Sequence, residues 1–276
     1  MPFKTEAEIL ASTVKLEYWC YPFIQKKGSM FISAPPKSMK SILAVQMMLS
    51  INRGQKFFGW ETEPASILYV DQEMGEPVLR ERLKALPEIS LPSIKPIHFF
   101  TDDGRRLSLD PGTVGRSDLY DGIRDLRPDV VVFDSFRKMT GKDENSSAEM
   151  TKVFESLKLL QHEFNFSSVF IHHTRKVSDA KGGKDQENMR GSSEIYAHGD
   201  AYGMIHMQND MDPTLNWSFR NHAPIGDMEL RLVPVTPETG YLIRRPAENI
   251  KKLKLTKDKV RGEDLTYGAK NYIPID

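Results

Sequence analysis

The chain has 276 residues, 39% hydrophobic and 28% charged, with 38 basic and 38 acidic side chains that cancel to a formal charge of zero. That length allows one large α/β domain or two small ones, and the neutral balance excludes a global field drawing the chain to nucleic acid or membrane, leaving such contacts to local patches. One cysteine, Cys20, excludes an internal disulfide framework; with no apolar run near the ~20 residues of a bilayer span and no signal-like stretch in the charged N-terminal segment, we expect a soluble cytoplasmic protein.

Residues 5–12 read as a short helix and 16–27 as an aromatic lead-in, Tyr18-Trp19-Cys20-Tyr21, ending at Gly28. Phe31 to Ser41 reads F-I-S-A-P-P-K-S-M-K-S. A run of strand length stops at Ser33, a turn follows, and Lys40-Ser41 opens an apolar helix through Ile42, Leu43, Val45, Met47 and Leu49. Strand, loop and helix are the context required by the phosphate-binding pattern G-x-x-x-x-G-K-[ST]. In such a loop, backbone N–H groups and the helix N-terminus cradle phosphates. The candidate cradle is Ala34, Pro35, Pro36, Lys37, Ser38, Met39, Lys40 and Ser41. Lys40 would reach the β- and γ-phosphates, and the Ser41 hydroxyl would hold Mg²⁺. Ala34 and Met39 stand where the pattern has glycine. A side chain in the left-handed region costs roughly 1–2 kcal/mol, and Met39 is expected to crowd the phosphates. A Lys-Ser pair opening an ordinary helix remains the alternative at this point.

Gly54 stops that helix, and Ser66–Asp71 forms the next strand pattern. Gln72-Glu73-Met74-Gly75-Glu76 then leads into an amphipathic helix carrying Val78, Leu79, Arg82, Leu83 and Leu86. Residues 87–96 are a connection, Ile97–Phe100 a third strand, 113–126 a helix and Asp129–Asp134 the clearest strand of the chain. A polar loop over 137–147 precedes a helix at 147–164 with Met150, Val153, Phe154, Leu157 and Leu160 on one face, and then the strand Ser168–His173. Apolar strands alternating with helices predict an α/β fold with a mainly parallel sheet covered on both faces. Past residue 190, the stretches 201–208, 214–220, 227–235 and 240–244 read as strands on short turns, an antiparallel C-terminal β extension. We expect one domain over 1–245, including the lead-in 1–27, and a polar Lys-rich tail over 246–276.

In an open α/β sheet, ligands bind at the carboxyl ends of the strands. The phosphate loop, Glu73, Asp134 and His173 all fall there. Asp134 suits contact with Mg²⁺, directly or through water; Glu73 is placed to polarise an attacking water; His173 could sense a γ-phosphate. Each has a plainer reading: a turn former, a carboxylate complementing a helix N-terminus, a buried histidine bonded to backbone. Four such features on one edge favour an ATP site. The pair His172-His173 has no cysteine or carboxylate nearby at metal-ligand spacing.

The ordered set A-P-P-K-S-M-K-S, I-L-Y-V-D-Q-E-M-G, V-V-V-F-D-S, I-H-H-T-R-K and R-G-S-S-E, within roughly residues 15–245, resembles the RecA-like P-loop ATPases. Within them the chain is most similar to the plasmid RepA-type hexameric helicases, with the DnaB and KaiC/RadA groups more distant. The resemblance implies a RecA-type core in which Lys40 and Ser41 are the P-loop pair, Glu73 the catalytic glutamate, Asp134 the Walker B aspartate and His173 the sensor. Trp217–Gly226 resembles the K-x-R-N-G-P-x-G hairpin that reaches a neighbouring subunit's ATP site, with Arg220 as arginine finger and Ser218 at the family's lysine position. The polar stretch Thr174–Arg190, with Arg175, Lys176, Lys181, Lys184 and Arg190, resembles a channel-facing DNA loop that grips phosphates without reading sequence; a solvated loop is the alternative. The implied function is an ATP-hydrolysing motor on single-stranded DNA, using ATP and Mg²⁺. It would assemble as a homo-oligomeric ring, expected to be a hexamer, with a primase or replication initiator as a further partner and no membrane. The altered loop also suits a nucleotide-binding scaffold module, and a RecA-like ATPase without unwinding activity is a third expectation.

Overall fold

The computed structural model of the chain describes residues 3–102, 104–174, 193–207, 212–234 and 241–244. Helix α1 (Glu6–Leu10) is closed by a capping box between Thr5 and Glu8. The aromatic lead-in folds as a small hairpin, β1 (Tyr18–Cys20) and β2 (Ile24–Gln25). Then come β3 (Ser29–Ala34), α2 (Lys40–Asn52), β4 (Ile67–Asp71), α3 (Glu76–Ala85), β5 (Ile97–Thr101), α4 (Val114–Leu126), β6 (Val130–Asp134), α5 (Ser147–Phe164) and β7 (Ser167–His173). The C-terminal part adds α6 (Ser193–His198), β8 (Ala201–Met207), β9 (Pro213–Phe219), β10 (Met228–Glu229), β11 (Arg231–Pro234) and β12 (Tyr241–Arg244).

One eight-stranded sheet runs β10-β9-β8-β3-β7-β6-β4-β5. From β8 to β5 neighbouring strands are parallel; β9 and β10 are antiparallel. The antiparallel extension therefore begins one strand later than expected, because β8 joins β3 in parallel register. β11 and β12 pair only with each other in a separate ladder. Helix α6 was not legible in the sequence: six residues are too few to show a helical period.

Strand alternation sorts the core onto two faces. Ile32, Ile67, Val130, Val132, Val169 and Ile171 pack with α2 on one side. Phe31, Val131, Phe133 and Phe170 pack with α4 and α5 on the other. Every residue of α2 except Ser41 is buried, which explains an apolar pattern that has no polar face. On the second face, aromatic rings stack from strand to strand: Tyr202 on Phe31 at 5.4 Å, Phe31 on Phe170 at 4.8 Å and Phe170 on Phe133 at 5.1 Å. Phe170→Ala is expected to lower stability by about 3–5 kcal/mol, whereas Leu159→Ala, at a side chain 71% exposed, should change it by less than about 0.5 kcal/mol. Denaturant unfolding of both variants reads this; equal values would disprove the placement of the stack. Among the described residues, no helix is long and apolar enough to cross a membrane.

The register brings the strand ends together. Ala34 lies beside His173, and Asp71 beside Asp134, which in turn lies beside Ile171. The ends of β3, β4, β6 and β7 thus form one edge.

Candidate functional site

The turn between β3 and α2 is a phosphate-loop path drawn without glycine. Lys37 (φ 64°) and Met39 (φ 61°, ψ 18°) both take left-handed conformations. Met39 is half-buried and packs against the core beneath α2 while its remaining surface lines the cleft. That packing offsets the backbone penalty of the conformation. Lys40 is buried, and its ammonium donates to the carbonyls of Ala34 at 3.1 Å and Pro35 at 2.8 Å. Burial lowers its pKa to about 8, against the raising influence of Glu73 and Asp134.

Asp134 ends β6 and is fully buried. Tyr69, from the middle of β4, donates its hydroxyl to Asp134 Oδ2 at 2.7 Å. Burial raises the Asp134 pKa to about 6; Tyr69 and Ser41 favour the charged form, and Asp71 and Glu73 disfavour it. Asp134 Oδ1 is buried without a hydrogen-bond partner among the described residues. An oxygen donor left open in this way, with the Ser41 hydroxyl beside it, fits Mg²⁺, which binds through one or two carboxylates together with phosphates and waters. Protonation of Asp134 removes that donor. Mg²⁺-dependent nucleotide affinity is therefore expected to fall by about tenfold per unit below pH 6. Nucleotide titrations with and without Mg²⁺ between pH 5 and 8 read this, and a flat Mg²⁺ dependence would contradict it.

Glu73 follows β4 on a loop fixed by Asp71, whose Oδ1 accepts the N–H groups of Glu73 and Met74, both at 2.9 Å. Its Oε2 lies 3.5 Å from His173 Nε2, a long hydrogen bond. His173, ahead of Ser135 and Lys40 and against burial, holds the Glu73 pKa down to about 2, so the group is a carboxylate at neutral pH.

Lys37, Ser38, Met39, Lys40 and Ser41 thus share a cleft of about 310 Å³ with Glu73, Asp134 and His173. Arg82 of α3 lines the same cleft. Three residues escaped the sequence reading: Asp71, visible only as the last letter of its strand; Tyr69, an ordinary strand aromatic; and Arg82, read as one more position on an amphipathic helix. Arg220 is not part of this cluster. Its N–H donates to Asp200 O at 2.8 Å, its guanidinium contacts Ala197 O, and Asp200 Oδ2 accepts the Ser29 N–H at the start of β3. The cleft lies at the other end of β3, about 20 Å away at ~3.3 Å per strand residue. Arg175, Lys176, Lys181, Lys184, Arg190 and the tail 246–276 lie outside the described residues.

The AAA_25 family model, described as an AAA domain, matches residues 2–179. Among solved structures, one ATPase domain superposes with a TM-score of 0.56 at 13% identity, covering 75% of this chain and 82% of that one. The "Crystal structure of the RadB recombinase" superposes at 0.47 and 16% identity, covering 80% and 92%. No curated protein matches the chain. The likeness to the solved ATPase domain is one of fold, a mostly parallel sheet between helices with antiparallel strands at its C-terminal end. The family match spans more than half of the chain and takes in the phosphate loop, Glu73, Asp134 and His173, so the chain belongs to the AAA_25 family and carries a RecA-like P-loop ATPase domain.

Proposed function

We propose that the chain hydrolyses Mg²⁺–ATP in this cleft and uses the cycle to move on single-stranded DNA, as a ring-forming, RepA-like replicative helicase of a plasmid, phage or mobile element. The observation that carries the reading is convergence: Lys40, Ser41, Glu73, Asp134 and His173 come from four strand ends and line one cleft. The N–H groups of the loop and the N-terminus of α2 bind the phosphates. Lys40 leaves the loop carbonyls for the β/γ-phosphate oxygens, whose charge compensates its burial. Ser41 and Asp134 hold Mg²⁺, which when bound neutralises charge on the β- and γ-phosphates. Glu73, with its low pKa, orients and polarises the attacking water rather than retaining its proton. His173, aligned by Glu73, faces the γ-phosphate.

Arg220 would act in trans. Its place at the opposite sheet edge supports this, because it is out of reach of its own subunit's cleft. Arg175, Lys176, Lys181, Lys184 and Arg190 would grip DNA phosphates in the channel. In support, Thr174, the residue before them, donates its N–H to Ala34 O at the end of β3, where the phosphate loop begins. A hexamer and a primase or initiator partner complete the reading. A second reading, a nucleotide-binding scaffold without turnover, is favoured by Met39 lining the cleft and by Lys40 bonded to the loop itself.

ATP hydrolysis measured with and without single-stranded DNA separates the two. Turnover stimulated by DNA, with strand displacement, is expected; binding without turnover would establish the scaffold, and turnover without displacement an ATPase that does not unwind. Arg220→Ala is expected to lower turnover of the assembled protein by about 10³-fold or more while leaving nucleotide affinity within a few-fold. Full turnover in that variant would exclude the finger. Lys181→Ala/Lys184→Ala should lose DNA stimulation and keep basal turnover.

A further inference from the structure

The turn that carries Arg220 is fastened to two other parts of the chain. Arg220 follows β9, and its N–H donates to Asp200 O at 2.8 Å. Asp200, just ahead of β8, grips both backbone groups of Ser29 at the start of β3. Its N–H donates to Ser29 O at 2.7 Å, and its Oδ2 accepts the Ser29 N–H at 2.9 Å. A Cβ on Gly28 would lie 2.8 Å from that Oδ2, so the close approach requires glycine there. The other carboxylate oxygen, Oδ1, faces the Arg220 guanidinium at 3.8 Å. The guanidinium also donates to Ala197 O in the last turn of α6, where helix carbonyls favour a cation. The lead-in hairpin holds the next two residues. Asn221 Nδ2 donates to Gln25 Oε1 at 3.4 Å. The Tyr21 hydroxyl shares a hydrogen bond of 2.8 Å with His222 Nε2, and the two rings meet edge to face at 5.2 Å.

Stability does not account for these contacts. An ion pair at 3.8 Å between partly exposed groups is screened and contributes little, and the Tyr21–His222 bond lies at the surface. What the contacts remove is freedom. A loose arginine samples many rotamers and gives them up on engaging a phosphate. With one N–H on Ala197 O, the half-exposed guanidinium keeps further donors for a group outside its own subunit.

We propose that Asp200 and Tyr21 are positioning residues for Arg220, holding its guanidinium preset for the nucleotide of a neighbouring subunit. The β1–β2 hairpin thereby serves a site in another copy of the chain. This rests on the reading of Arg220 as a finger in trans. A cation placed in advance costs no reorganisation when charge develops on the γ-phosphate, and a misplacement of about 1 Å costs up to about 10²-fold in rate.

The test is a pair of double-mutant cycles on the full-length, assembled chain, reading kcat, KM and oligomeric state. Asp200→Asn keeps an acceptor for the Ser29 N–H and loses the charge; Tyr21→Phe loses one hydroxyl from a side chain 44% exposed. Asp200→Asn is expected to lower kcat by about tenfold and Tyr21→Phe by about threefold to tenfold, with KM within about twofold and assembly unchanged. Neither should add to the loss in an Arg220→Ala background, because the residue they position is gone. If Asp200→Asn fails to fold by circular dichroism, Tyr21→Phe decides by the same criteria. Undiminished kcat in both variants, a loss that persists in the Arg220→Ala background, or dissociation of the assembly overturns the positioning role while leaving the finger intact. Full turnover in Arg220→Ala, or a wild-type chain without turnover, overturns the finger itself and the positioning role with it.

Discussion

Lys40→Ala is expected to abolish ATP hydrolysis and to weaken nucleotide binding by about 10²-fold or more. Lys40 is the buried cation at the start of α2, and its ammonium is held on the carbonyls of Ala34 and Pro35. Carbonyl dipoles only partly replace the water that burial removes, which is why its pKa falls to about 8. A triphosphate oxygen replaces that partial solvation with a full negative charge in a half-dry cleft, where charge-assisted bonds are worth about 1.5–3 kcal/mol each. Removal of the amine forfeits two or more of these and leaves developing charge on the γ-phosphate uncompensated. Steady-state hydrolysis and nucleotide titration of the variant check this. Turnover within about tenfold of wild type would place the phosphates elsewhere, since positioned electrostatic contacts of this kind carry about 10²–10³ in rate.

Asp134→Asn should remove turnover and yet raise the melting temperature of the nucleotide-free protein at neutral pH. The Asp134 pKa is raised from 3.8 to about 6 in the fold. Between those values the folded chain holds a proton that the unfolded chain has released, so stability falls as pH rises through this window. Above about pH 6 the full cost stands, roughly 3 kcal/mol from two pKa units at ~1.4 kcal/mol each. Asparagine carries no such charge, keeps an oxygen for the Tyr69 hydroxyl, and offers an amide toward Asp71, whose Oδ2 is buried without a partner among the described residues. A gain of about 1–3 kcal/mol is expected, at ~2–4 °C per kcal/mol for a domain of this size. The gain should shrink at pH 5, and Mg²⁺–nucleotide should stabilise wild type but not the variant. A lower melting temperature for the variant at pH 7.5 would show that ionised Asp134 is not a burden on the fold.

The sequence made the strand ends legible because parallel strands buried on both faces read as unbroken apolar runs, and a polar letter closing such a run is conspicuous. Asp134 and His173 were singled out in that way and Glu73 as the carboxylate two residues past such a run, and the packing of α2 accounts for its all-round apolar pattern. Arg82 was hidden for the converse reason. On an amphipathic helix a cation facing solvent and one facing a cleft give the same pattern, and only the placement of α3 beside the loop distinguishes them. Tyr69 acts across neighbouring strands, so no local spacing announces it, and Asp71, which accepts the N–H groups of Glu73 and Met74, reads in sequence as an ordinary turn former at a strand end. The parallel pairing of β8 with β3 was equally invisible, because pairing direction depends on where the chain returns and not on alternation within the strand.

The left-handed Met39 bears on how sites of this kind are recognised at all. A phosphate cradle is a path of backbone amides, and glycine is one spelling of that path. Here a thioether leaning sideways into the core supports the same curve. A search keyed to the two glycines would pass over this chain, whereas one keyed to a lysine-serine pair, a carboxylate closing the third strand after it, and the curvature between strand and helix would retain it. Proteins set aside as lacking the loop include, on this view, some that have only written it in other letters.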